Sequence, residues 1–262
     1  MIGIFDSGVG GMTVARAIEH LCPDLPLVYF GDIARTPYGS KSPDTIIRYS
    51  RFNTDFLLEQ GAELIVVACN SASSAAADAL RFHYSVPVLD VITPATIKAA
   101  ELSGAGRIGI IGTRATVKSG IYPQRIREIR PDAKVFSQAC PLLVPLVEEG
   151  WLNKRETKMI LRGYLHPLRL KKIDTLVLGC THYPLLKQLI GPRIGNQVRL
   201  IDSSVEMALH VQAYLDAHPE LKERLRGKGG ASRFYVSDCT EAVEQMAAGI
   251  FGGPLELQTI AT

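Results

Sequence analysis

The sequence predicts an α/β fold: two similar three-layer halves with mainly parallel sheets, related by a pseudo-twofold and facing one cleft. Three observations predict it. Short runs rich in Ile, Val and Leu alternate with helix-like stretches along the chain, as buried parallel strands alternate with crossover helices. The pattern restarts at Arg107-Ile108-Gly109-Ile110, which repeats the opening Ile2-Gly3-Ile4. A cysteine closes an apolar run in each half, Cys69 after residues 64–68 and Cys180 after residues 175–179. The two thiols stand at nearly the same offset as the two opening strands, as a duplication would place them.

Each element has its own signal. Residues 2–5 form the first strand, and Asp6-Ser7-Gly8-Val9-Gly10-Gly11 is a glycine-rich turn. Residues 13–21 are helical, with Val14, Ala17, Ile18 and Leu21 on one face,. Strand, glycine loop and helix together aim backbone N–H groups at an anion. No GK[ST] follows, and Thr13 replaces the third glycine of GxGxxG. A carboxylate therefore suits the loop as well as a phosphate, and a bare turn stays open. Residues 27–30 are the second strand, running into a Pro- and Gly-containing loop at 31–39,. Ser42-Pro43-Asp44 starts a helix to 58,. Residues 64–68 are a strand, 72–84 an alanine-rich helix and 86–91 a strand, and Thr93-Pro94 opens the next helix.

In the second half, strands are expected at 107–113, 134–139, 175–179 and 198–202, and helices at 117–130, 154–164, 184–190 and 205–215. Residues 140–150 read as a proline-punctuated loop,. The charged stretch 219–231 reads as a solvated helix and loop, 233–236 as a late strand and 240–250 as a closing helix.

Composition narrows the function. With 262 residues, 47% hydrophobic and 21% charged, the chain is an ordinary globular protein with a large core,. Net charge is +3 and no Lys/Arg block is present, which argues against a nucleic-acid partner,. No apolar run reaches the ~18–20 residues of a membrane span. The five cysteines are scattered without a CxxC pair, which disfavours zinc ribbons and thioredoxin-like redox sites. The amino terminus lacks the features of a signal peptide, so free thiols in a reducing cytoplasm are expected.

Cys69 and Cys180 are each followed by small polar residues, just past a strand's carboxyl end, where α/β sheets bind ligands,. Two thiols in one site can form a disulfide, hold a metal, or act as an acid and a base. A metal wants more Cys or His ligands at tight spacing, and only His182 lies close to Cys180,. A disulfide would be unusual in the cytoplasm. Acid/base work on opposite faces of one carbon fits the neighbours best. Asp6 can assist one thiol, and His182 or Glu148 the other. Ser7, Asn70, Ser71 and Thr181 can cradle an anionic substrate. Cys22 and Cys239 read as small core residues, and Cys140 is intermediate.

Five stretches carry a resemblance: Phe5-Asp6-Ser7-Gly8-Val9-Gly10-Gly11, Ala34-Arg35-Thr36-Pro37-Tyr38-Gly39, Val67-Ala68-Cys69-Asn70, Val144-Pro145-Leu146-Val147-Glu148-Glu149 and Leu178-Gly179-Cys180-Thr181-His182-Tyr183-Pro184. In this order they resemble glutamate racemases, across most of the chain. The resemblance implies cofactor-independent interconversion of L- and D-glutamate, with no metal, supplying D-glutamate for peptidoglycan. It implies Cys69 as the acid/base acting on the D-enantiomer and Cys180 on the L-enantiomer, assisted by Asp6, Glu148 and His182. Asp6, Ser7, Tyr38, Gly39, Asn70, Ser71, Thr181 and His182, and further Thr113 and Thr116, match substrate-binding positions. Ser71 replaces the family's usual Thr, keeping the hydroxyl. Related aspartate racemases typically have Glu where this chain has His182, which favours glutamate. The family fold implies one domain of residues 1–93 plus 207–262 and another of 94–206, with the site between them.

The family forms dimers of several geometries, so a homodimer is one expectation and the sequence leaves the geometry open. Because the chain begins almost at the first motif, the amino-terminal extension of some relatives is expected to be missing. Aspartate racemisation, and a two-lobed amino-acid binding protein, are the competing readings.

Overall fold

In the computed structural model, which describes residues 1–227 and 229–261, strands and helices alternate from the first residues onward. β1 (Ile2–Asp6) leads to α1 (Met12–Leu21), β2 (Leu27–Gly31), α2 (Pro43–Glu59), β3 (Leu64–Val67), α3 (Asn70–His83), β4 (Val88–Asp90) and α4 (Ile92–Leu102). The start of α2 follows its sequence signal. Ser42 accepts a hydrogen bond from the Thr45 N–H, and Pro43 takes the first helical position, where no donor is needed,. The alternation then repeats with β5 (Arg107–Gly112), α5 (Arg114–Ser119), α6 (Ile121–Ile129), β6 (Lys134–Ala139), α7 (Leu143–Glu148), α8 (Arg155–Leu170), β7 (Thr175–Gly179), α9 (Lys187–Ile194) and β8 (Arg199–Asp202). The chain continues through α10 (Ser203–Ala217), α11 (Pro219–Gly227), β9 (Arg233–Val236), α12 (Glu241–Phe251) and β10 (Leu257–Thr259).

Two sheets result, with strand orders β10-β9-β2-β1-β3-β4 and β6-β5-β7-β8. Every pairing between these strands is parallel. The order second-first-third-fourth occurs in both, so the internal repeat seen in the sequence is a repeat of topology. In each sheet the order reverses beside the first strand, and such a switch point opens a crevice at the carboxyl ends. β1 and β3, which lead to Asp6 and Cys69, flank one crevice. β5 and β7, which lead to Thr113 and Cys180, flank the other.

Period-two alternation sorts the strand side chains. Ile2, Ile4, Leu64, Val66, Ile108, Ile110 and Val177 enter one continuous core with Val14 and Ile18 of α1, Ala95 and Ala99 of α4, and Met207 and Val211 of α10. The two sheets thus share a middle layer of helices. Phe5, Ile65 and Val67 face a second core under α2 and α3. Ile111, Leu176 and Leu178 face a third, under α8 and α9.

Asp90, at the end of β4, joins the halves. It accepts hydrogen bonds from the Ile92 and Thr93 N–H groups at the start of α4, at 2.9 and 3.0 Å. It also pairs with Arg81 of α3 at 2.5 Å and Arg125 of α6 at 3.1 Å.

Several boundaries differ from the sequence reading. The helix expected at 117–130 is two helices, because Gly120 adopts a left-handed conformation (φ 70°) that ends α5,. The expected loop 140–150 contains α7. Pro145 sits in its first turn, where a missing N–H costs nothing, and Leu143 and Val147 bury one face,. α8 runs on through Pro167 because Leu165 and Leu168 extend its buried face,. The strand expected at 86–91 is limited to Val88–Asp90. β10 is an unexpected edge strand beside β9. No helix among the described residues is long and apolar enough to cross a membrane.

Candidate active site

The first wall comes from β1 and β3. Asp6 ends β1 fully buried and accepts a hydrogen bond from the Gly8 N–H at 3.0 Å, which turns the glycine loop,. Tyr29 donates its hydroxyl to the Gly8 carbonyl at 2.6 Å and fixes the same loop. Burial pushes the Asp6 carboxyl up to about 6, against the lowering effect of His182 and of its hydrogen bonds,. Cys69 caps α3, with its sulfur accepting from the Ala72 N–H at 3.4 Å and donating to Ser7 Oγ at 3.5 Å. Burial, and then the nearby Asp6 charge, push the thiol up to about 12,.

The second wall comes from β5 and β7. Cys180 Sγ lies 3.8 Å from His182 Nδ1, and His182 Nε2 lies 3.1 Å from Glu148 Oε1. Burial opposes charge on the His182 ring. The bonds to Cys180 and Glu148 outweigh it and raise the imidazole to about 10, so the ring is a cation near neutrality,.

The walls meet through hydroxyls. Thr181 Oγ1 donates to Asp6 Oδ1 at 3.3 Å. Thr13 Oγ1 lies 3.2 Å from the Thr181 carbonyl and 2.9 Å from Ser204 Oγ. Ser71 Oγ and Thr113 Oγ1 are 2.8 Å apart. Gly10 faces His182 so closely that a β-carbon there would come within 2.5 Å of the imidazole ring.

Both thiols line one small cavity. Ser7, Tyr38, Gly39, Asn70, Ser71, Thr113, Thr181 and His182 share its lining. Three expected site residues stand outside it. Asp6 lies behind the Ser7 turn and bonds across to Thr181, so it does not belong to the Cys69 side alone. Glu148 reaches the site through His182. Thr116 is set behind Thr113, at 3.1 Å between hydroxyls. The lining adds Thr36, Pro37 and Val144, which lie within the motifs around Tyr38 and Glu148. Asp32 is a further addition. Fully buried, it accepts the Tyr38 hydroxyl and pairs with Arg35 at 2.8 Å, holding the Tyr38-Gly39 segment against the cavity. Its place at a strand's carboxyl end was its only sequence signal. A larger cavity of about 360 Å³ lies between α7 and α12 and contains no thiol. Among the described residues no three His, Cys, Asp or Glu side chains are grouped to hold a metal ion.

Residues 10–213 match the family model described as Asp/Glu/hydantoin racemase. A glutamate racemase of Geobacter metallireducens is 45% identical over 254 residues, covering 97% of this chain and 93% of the relative. One from Aquifex aeolicus is 43% identical over 256 residues, covering 97% and 95%. Among solved structures, a glutamate racemase isoform from Bacillus anthracis superposes with a TM-score of 0.92 at 34% identity, covering 99% of this chain and 97% of that one. A glutamate racemase from Francisella tularensis, in complex with D-glutamate, gives 0.90 at 32% identity with the same coverage. On sequence and on fold alike, the chain belongs to the Asp/Glu/hydantoin racemase family, and with it to the isomerases.

Proposed function

We propose that this chain interconverts L- and D-glutamate without a cofactor, using Cys69 and Cys180 as acid/base groups on opposite faces of the α-carbon. The observation that carries the reading is the shared cavity: two thiols on separate walls, each with its own polar partners. Racemisation needs one group to take the α-proton and another to return one on the other face. From L-glutamate, the Cys180 sulfur takes the proton as a thiolate, and the C–H electron pair spreads into the α-carboxylate. The Cys69 S–H then delivers its proton to the opposite face. The cationic His182, held by Glu148, compensates charge on the Cys180 sulfur,. Asp6 assists Cys69 in the reverse direction. Cys69 is held as a thiol by burial, which suits it to donate when L-glutamate is the substrate.

Ser7, Tyr38, Gly39, Asn70, Ser71, Thr113 and Thr181 hold the substrate's charged groups, and Thr116 supports Thr113. The accessible cavity volume of about 20 Å³ suits roughly one water, so the walls part to admit a five-carbon diacid. Residues 1–93 with 207–262, and residues 94–206, are the units that part. The product role is supply of D-glutamate for peptidoglycan in the cytoplasm.

The test is polarimetry with L- and D-glutamate and no added cofactor. Rotation should decay to zero from either side, and Cys69→Ala or Cys180→Ala should abolish the decay while leaving the fold intact. Full activity in either variant overturns the two-thiol mechanism, and a requirement for pyridoxal phosphate overturns cofactor independence. Faster turnover of L-aspartate than of L-glutamate overturns the choice of substrate.

A further inference from the structure

Tyr122 of α6 belongs to the second half of the chain and is 1% exposed. Its hydroxyl donates to Asn70 Oδ1 at 2.7 Å, in the residue directly after Cys69. Its ring packs at the residue directly before Cys180: a β-carbon on Gly179 would meet Tyr122 Cε2 at 3.3 Å. One side chain therefore touches both thiol-bearing turns.

The Asn70 amide shows what this contact does. Asn70 is 2% exposed and lines the cavity between the thiols. Its Oδ1 is taken by Tyr122, while its Nδ2 is buried with no hydrogen-bond partner among the described residues. Buried donors are rarely left unpaired, and an exception asks for an explanation. A substrate carboxylate supplies the missing acceptor. The amide presents this donor only while its oxygen is held on the far side. Without Tyr122 the group can turn and offer an acceptor, which repels a carboxylate. Burial, and then the charge of Asp90, push the phenol far above its ordinary range, so Tyr122 remains a donor through the working pH range,.

We infer that Tyr122 is a positioning residue: its hydroxyl fixes the Asn70 amide with Nδ2 toward a substrate carboxylate, and its ring sets that amide against the Cys180 turn. Arg125, one helical turn further along α6, anchors the helix on Asp90 and on Thr93 Oγ1 at 2.6 Å. The inference rests on the carboxylate substrate proposed above.

The experiment is a double-mutant cycle on glutamate racemisation, with thermal midpoints recorded for every variant. Tyr122→Phe keeps the ring and removes the donor. It should lower kcat/KM about tenfold, mainly through KM, as expected for a weakened hydrogen bond to a charged group. In an Asn70→Ala background the same change should have no further effect, because the residue it acts through is gone. Additive losses, or wild-type KM in Tyr122→Phe, overturn the inference. A second arm leaves Tyr122 untouched. Asn70→Asp turns the cavity-facing donor into an acceptor and should lose more kcat/KM than Asn70→Ala. Asn70→Asp with wild-type KM overturns the assigned orientation, whether or not the Tyr122 variant folds. If the wild-type protein leaves the rotation of glutamate unchanged, the substrate reading itself fails, which separates that failure from one confined to Tyr122.

Discussion

His182 is a residue whose titration bears on stability just above neutral pH. Its imidazole is raised from an ordinary 6.5 to about 10 by Cys180 and Glu148, against the effect of burial. A raised value means the folded state holds its proton more tightly than the unfolded state does. The stabilisation is complete below pH 6.5 and is lost as pH rises toward 10,. Cys69, whose ordinary value is 9.0, adds its own loss only above that. The thermal midpoint should therefore fall between pH 6.5 and 9, and His182→Asn should flatten that part of the profile. The same variant should lower kcat about a hundredfold, the lower end of what a positioned proton partner contributes, as read by polarimetry. The thiols, His182, Glu148 and Asp6 were legible in the sequence because each sits in a motif beside an apolar run. Tyr122 and Asp32 were not. Tyr122 lies inside an ordinary amphipathic helix, and nothing in its neighbours tells that its hydroxyl crosses to Asn70. Thr116, expected beside Thr113 at the site, stands one turn behind it, at 3.1 Å between hydroxyls.

At the scale of elements, α4 begins where the Asp90 carboxylate gathers two backbone donors and two arginines. Asp90→Ala removes the cap and leaves Arg81 and Arg125 without this partner. Both arginines keep some solvent, at 36% and 17% side-chain exposure, so the loss falls below that of a fully buried pair. Destabilisation of about 2 kcal/mol is expected, measured as a shift in urea midpoint with unchanged slope. The central strands were the most legible elements, because burial on both faces writes β3 and β7 as short apolar runs,. β10 was missed because its Gln258 and Thr259 are exposed at the sheet edge and carry no such run. Helix boundaries failed where tertiary burial overrode local punctuation. The helix expected to stop at 164 runs on through Pro167 because Leu165 and Leu168 are buried, and burying leucines offsets the ~3 kcal/mol that an interior proline costs,.

For the whole molecule, the repeated strand order is the main outcome. Two weak sequence landmarks corresponded to a full repeat of second-first-third-fourth topology. The shared middle core was not legible, because no local pattern tells that Ile4 and Ile110 enter the same cluster. The repeat of topology places one thiol on each wall, and the partners of the two differ: Ser7 for Cys69 and His182 for Cys180. Each half supplies one strand-end cysteine, and each wall then supplies its own neighbours. The small cavity between them has an isotopic consequence. Under the proposed two-thiol mechanism, once the walls have closed on substrate there is little room for water beside a sulfur that has just taken the α-proton, so exchange is slow,. In D₂O, early turnover should then place deuterium on the product enantiomer, delivered by the opposite, solvent-equilibrated sulfur. The unreacted enantiomer recovered at the same moment should remain protiated, as read by mass spectrometry after chiral separation. Equal labelling of both pools would mean a single exchanging group, and the memory of which face the hydrogen left would be gone.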